Sequence, residues 1–185
     1  TYNMANGVII ESRISATDVD ALNRFCVSEN DVAGGALIAL DAPTKQGDEV
    51  WTATAPVAGT LGGLWIAYNP SEHYTEVNGK MFAGLSADPR DFVNIKKRTF
   101  SAFKPVKGDQ IVITADCIDD ASKIVAGDFL EAKAGQSTFT RVAKATGATA
   151  GSTAFQVEWI GVLPFPKVGI GMEYAPAYKI VCVQE

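Results

Sequence analysis

A single histidine limits what acid–base or nucleophilic chemistry the chain could do. His73, in the run PSEHYTE, is the only one in 185 residues. A Ser/His/Asp triad or a histidine-based metal site would have to be built around it. A Cys–His nucleophile pair would need Cys26, Cys117 or Cys182 to meet it, and none of these sits in a nucleophile motif, a CxxC pair or a Cys/His ligand spacing. The expectation is therefore a surface histidine and three reduced, mostly buried thiols of a chain made in a cytosol. Glu72 and Glu76 could serve glycoside hydrolysis if they faced each other, but a chain with 21 acidic residues brings carboxylates close by chance. The acidic run Asp116, Asp119, Asp120 lacks the glycine and the oxygen spacing of a calcium loop and reads as a solvated turn. Residues 56–63, PVAGTLGG, lead into Leu64-Trp65 where a phosphate loop needs Gly-Lys-Ser/Thr, so they read as a flexible turn. No catalytic, cofactor-binding or metal-ligating residue is assigned, and no cofactor is expected.

Binding is the other chemistry on offer. Trp51, Trp65, Trp159, Tyr68 and Tyr74 could form a stacking platform for sugars. Trp51 and Trp159 lie inside alternating strands and are expected in the core; Tyr68 and Tyr74, around Pro70, are expected to be exposed. Lys96-Lys97-Arg98 could meet an acidic protein surface or simply end a solvated strand. A formal net charge of -5 and a pI near 4.9 remove the basic footprint that phosphate contacts require, so nucleic acid is not an expected partner. No apolar run approaches the roughly 20 residues that cross a bilayer, and no basic segment leads into an apolar one, so neither a membrane partner nor a secretory signal is expected.

The elements that would carry these residues are strands. A turn followed by an apolar run recurs at 124–142 (IVAGDFLEAKAGQSTFTRV), 106–115 (VKGDQIVITA) and 32–40 (VAGGALIAL). Further strands are expected at 49–55, at 64–68 up to Asn69-Pro70, at 155–162 up to Leu163-Pro164-Phe165-Pro166, where a cis peptide bond is an option, and at 177–183. One short helix is expected from an N-cap at Thr17 or Asp18, with Val19, Leu22, Phe25 and Cys26 as its stripe. Residues 1–15 read as an N-terminal arm or edge strand. Eight to ten strands without helical crossovers predict an all-β fold, a β-sandwich or β-barrel over 16–185, as one unit or two small barrels divided near 98–105.

With VAGDFLEAKAGQSTFTRVAKAT (125–146), FQVEWIGV (155–162) and YKIVCV (178–183) in view, the chain resembles the capsid decoration proteins of tailed bacteriophages, also called cement or auxiliary capsid proteins. The shared character is a cysteine-poor chain of short strands with Gly-Asp turns, abundant Ala, Gly, Thr and Val, and an extended start. The resemblance implies a structural, non-enzymatic virion protein that is made in the host cytoplasm and self-associates. It would bind the major capsid protein on the outside of an assembled head and stabilise it. Binding only the assembled lattice raises the cost of dismantling it, and many copies add avidity. Under this reading Tyr2, Val8, Ile9 and Ile10 of the arm and Lys96, Lys97 and Arg98 are the contact candidates. The rivals are another virion part, such as a head-fibre, tail or glycan-binding adhesin module, and a small β-barrel enzyme.

Overall fold

The computed structural model describes residues 6–45, 48–71, 73–78, 80–83, 86–167 and 171–185. Among them are fourteen strands, five single 3-10 turns and no α-helix, so the fold is all-β. The strands are β1 (Ile9–Arg13), β2 (Asn23–Val27), β3 (Leu37–Pro43), β4 (Val50–Thr54), β5 (Trp65–Ala67), β6 (Tyr74–Val77), β7 (Lys80–Ala83), β8 (Phe100–Phe103), β9 (Gln110–Thr114), β10 (Ile118–Asp119), β11 (Phe129–Glu131), β12 (Phe139–Val142), β13 (Ala154–Pro166) and β14 (Met172–Gln184). Five close into a barrel in the order β2-β4-β3-β5-β8. Seven form a sheet in the order β1-β9-β14-β13-β11-β12-β10, and β6-β7 is a separate hairpin.

One local device starts two strands of the sheet. In Val106-Lys107-Gly108-Asp109 and Val125-Ala126-Gly127-Asp128, the Asp amide donates to the Val carbonyl at 2.9 and 3.1 Å. The Val amide in turn donates to the Asp carboxylate at 2.8 and 3.1 Å. The third position takes φ of +101° and +91°, which only glycine adopts without a Cβ penalty. Both aspartates are buried and also tie in distant chain: Asp109 accepts from the Ser15 amide and hydroxyl, and Asp128 from Arg141 and the Lys144 amide.

Alternation along the barrel strands sorts their side chains. Cys26, Ile38, Ala53, Ala67, Ala102 and Phe100, drawn from all five strands, fill the interior, where mostly small side chains suit so narrow a barrel. Leu37, Ile66 and Phe103 point outward into a second core with Ile9, Ile113, Leu130, Phe155 and Ile180 of the sheet. One closed barrel and one open sheet thus share a continuous apolar core. The boundary falls at β8, the last barrel strand, but β1 before the barrel belongs to the sheet.

Two expectations need correction, and one open alternative is decided. The expected helix is two 3-10 turns, Ser15–Thr17 and Asp20–Leu22, followed by β2. Four apolar residues spread over eight positions cannot stabilise a helix alone, whereas β2 gains ladder bonds on both sides, parallel to β4 and antiparallel to β8. Of the two readings of the N-terminal stretch, the edge strand is the one found over Ile9–Arg13: β1 pairs with β9 at the edge of the sheet. Leu163-Pro164-Phe165-Pro166 does not stop its strand, which runs on to Pro166, and no peptide bond among the described residues is cis.

Candidate docking surface

β13 and β14 stay paired from Ala154 opposite Gln184 to Pro166 opposite Met172, while their neighbours stop early. β11 accompanies β13 only along residues 154–156, and β9 accompanies β14 only along 177–181. Residues 162–166 and 172–176 therefore leave the sheet as a two-stranded ribbon, about 16 Å long at roughly 3.3 Å per residue. With Ile160 at its root, opposite the buried Tyr178, the exposed row along β13 extends to about 23 Å.

Residues opposite each other in register share a face. Ile160, Val162, Pro164 and Pro166 stand with Met172, Tyr174 and Pro176 on one face. All seven are exposed, Ile160 by 41%, Val162 and Met172 by 54% and Tyr174 by 65%, and none carries a charge. The other face holds Trp159, Gly161, Leu163 and Phe165 with Lys179, Ala177, Ala175 and Glu173, and it is largely covered. The Trp159 indole lies across Gly161, where a Cβ would have no room. Phe165 and Ala175 bury against Val8, with Leu163 packed on them.

Arg90 fastens that covered face to the body. Asp88 caps the 3-10 turn Pro89–Asp91 by accepting from the Arg90 amide at 2.9 Å. The buried Arg90 guanidinium returns two bonds to Asp88, with Nη2 at 2.7 Å, and reaches Glu173 of the ribbon at 3.1 Å. It also lies 4.5 Å over the Phe165 ring. Burial pushes the Asp88 carboxyl up, but Arg90 and the turn amide outweigh it and hold it below the usual range. The Asp88 bond, reinforced by Glu173 against the opposing effect of burial, raises Arg90, so the clamp is fully ionised. One face is sealed by packing and charge, and the other is left bare.

Prolines guard the ribbon's edges against strand addition, two on β13 and one on β14. Proline has no N–H, so Pro164, Pro166 and Pro176 occupy positions whose amides would point away from the partner strand. The outward donors that a third strand would need are missing at those three places. The β13 edge is the better guarded of the two, since on β14 Met172 and Tyr174 keep their outward amides.

The residues named from sequence fall as follows. Tyr2 lies outside the described residues. Val8 and Ile9 are buried, at 4% and 0% exposure, because they pack the ribbon root and the main core, so neither is a contact residue. Ile10 is exposed on the outer sheet face, in register with Val112, Lys179 and Trp159. Lys96, Lys97 and Arg98 are exposed on a different loop, where the Lys96 amide donates to Asp31 and the Lys97 amide to Ser28. Trp159, expected in the core, is half exposed because it stands on the outer sheet face beyond the end of β11. Trp51 and Trp65 are half-buried and flank the Arg24 guanidinium at 6.0 and 5.6 Å. Tyr68, expected exposed, is half-buried on Phe103 and donates to Asn23. The side chains of Glu72, Tyr74 and Glu76 lie outside the described residues.

The chemistry-bearing groups are occupied elsewhere. His73 is exposed and stacked on Phe92 at 4.5 Å. Cys26, Cys117 and Cys182 are buried and free, and burial pushes each thiol up to about 12, so at neutral pH none is a thiolate nucleophile. Asp120 holds Ser122 and Lys123. Among the described residues no three His, Cys, Asp or Glu side chains group as metal ligands. Sequence reasoning missed the seven-residue apolar face, taking Leu163-Pro164-Phe165-Pro166 for a strand end; the signal that could have found it is IGVLPFP with prolines at alternate positions, which mark an edge and not an end. No protein-family model, no curated protein and no solved structure matches the chain.

Proposed function

We propose that this protein is a structural virion component that binds the outside of an assembled phage capsid and stabilises it, without enzymatic activity. The single observation that carries the docking part is the bare, uncharged ribbon face with its proline-guarded edges; the phage head as target comes from the sequence resemblance. A contiguous uncharged face on a ribbon that stands clear of its sheet is a surface a protein partner can cover. Its area supports a repetitive partner: about 23 Å by roughly 10 Å is some 230 Å², far below the ~800 Å² per partner of a stable pairwise interface. Contacts of that size hold when copies that self-associate bind one lattice, since each further contact is then intramolecular. Binding only the assembled lattice then adds to the cost of disassembly by mass action.

The test is co-sedimentation with mature capsids lacking the protein, followed by heating. Saturable binding with a raised disruption temperature is expected, and Val162→Asp with Tyr174→Asp abolishes both while leaving the free protein's melting temperature within a few degrees. Absence of binding to any head intermediate would overturn the proposal, as would binding that ignores the double substitution.

A further inference from the structure

We infer that a groove on the outside of the barrel binds an extended polypeptide segment of a partner protein, basic at one end, apolar in the middle and acidic at the other. Three clefts with shared walls make the groove. The first, about 780 Å³, lies against Asp20, Asp48 and Glu49 and is floored by Phe25, Tyr68 and Ser101. The second, about 430 Å³, shares those three floor residues and continues over Ser71, Thr99 and Phe100. The third, about 580 Å³, shares Ser71, Thr99 and Phe100 and ends among Lys96, Lys97 and Arg98. One channel thus joins a pole of three carboxylates to a pole of three cations.

Its middle carries three aromatic side chains, Phe25, Tyr68 and Phe100, set among Asn69, Ser71, Asn94, Thr99 and Ser101. Phe25 projects from β2 and is 54% exposed. The cations are available: among the described residues Lys96 and Arg98 form no ion pair, and Lys97 meets only Glu29 at 3.3 Å, between two well-exposed side chains worth little to each other. At the acidic pole the one opposing charge, Arg24, donates to the Asn23 carbonyl and lies between Trp51 and Trp65. A nucleic acid would be repelled at the carboxylate end, a neutral glycan would use neither pole, and a small zwitterion would not fill three joined clefts. A polypeptide in extended conformation matches all three sections, and opposite poles fix its direction. The groove is separate from the ribbon, so failure of capsid binding does not bear on it.

The probe is a fluorescein-labelled decapeptide with lysines at its amino end, leucines in the middle and glutamates at its carboxyl end. Two controls carry lysines or glutamates at both ends. Anisotropy titrations of the whole protein are expected to give saturable binding of the mixed peptide, about tenfold tighter than either control. Phe25→Ser weakens it about fivefold. Lys96→Glu, Lys97→Glu and Arg98→Glu together reverse the preference toward the all-lysine peptide, an outcome that misfolding would not produce. Equal affinity for the three peptides, no saturation up to millimolar concentration, insensitivity to both sets of substitutions, or displacement by a neutral chitin oligosaccharide would each overturn the inference.

Discussion

Asp128 shows how much a single buried carboxylate does here. Burial alone would push it up, but the Arg141 guanidinium and the amides of Lys144 and Val125 hold it below the usual carboxylate range. A folded pKa below the unfolded value of about 3.9 means stability that is present above that pH and lost as pH falls through the folded value. Asp128→Asn keeps an acceptor and removes the charge. It is expected to cost about 1–2 kcal/mol at pH 7 by urea unfolding. The difference from wild type should shrink as pH falls below about 4, where the unfolded chain takes up a proton that the native carboxylate still refuses. A difference that stays constant from pH 7 to pH 3 would show that the charge is not what matters. The sequence showed the turn, because V-x-G-D closes its own bonds within four residues, but not the buried carboxylate's role, because Arg141 and Lys144 reach it from 13 and 16 residues on.

At the level of elements, locality decides what could be read. The V-x-G-D turns and the strands they start were legible; the ribbon was not. Whether a proline ends a strand depends on where its missing N–H would point, and that is set by the partner strand and its neighbours. Pro164 and Pro166 face outward, so they cap an edge. Likewise Val8 and Ile9 look the same as an arm or a strand until β9, about a hundred residues later, covers them. The basic triplet was legible as exposed, but its continuity with Asp20 and Asp48 is made by barrel closure and leaves no mark in the sequence. If the prolines are edge guards, Pro164→Thr with Pro166→Thr restores two outward donors beside an apolar face. The variant is expected to fold with unchanged stability and to self-associate through the ribbon edge, seen as concentration-dependent sedimentation. A variant that sediments like wild type at every concentration would mean that the prolines serve the ribbon's shape instead.

For the whole molecule, the shared core makes a definite claim about cooperativity. Phe103 is fully buried on β8, yet its side chain packs on the sheet side of the barrel with Ile66, Leu37 and residues of β9 and β13. If barrel and sheet were separate folding units, a large-to-small change there would loosen the barrel and spare the sheet. Because the core is continuous, Phe103→Ala is expected to cost about 3–5 kcal/mol and to lower both together. The tryptophans report the parts separately: Trp51 and Trp65 sit in the barrel, and Trp159 at the root of the ribbon. Single-tryptophan variants, with the others changed to phenylalanine, should give coincident urea midpoints in the wild-type background and equal shifts with Phe103→Ala. A Trp159 transition that stays in place while the barrel signal moves would divide the molecule at β8. A ribbon held rigid by a body that unfolds only as a unit is what presenting one apolar face to a lattice requires, since any local loosening at its root would add an ordering cost to every contact.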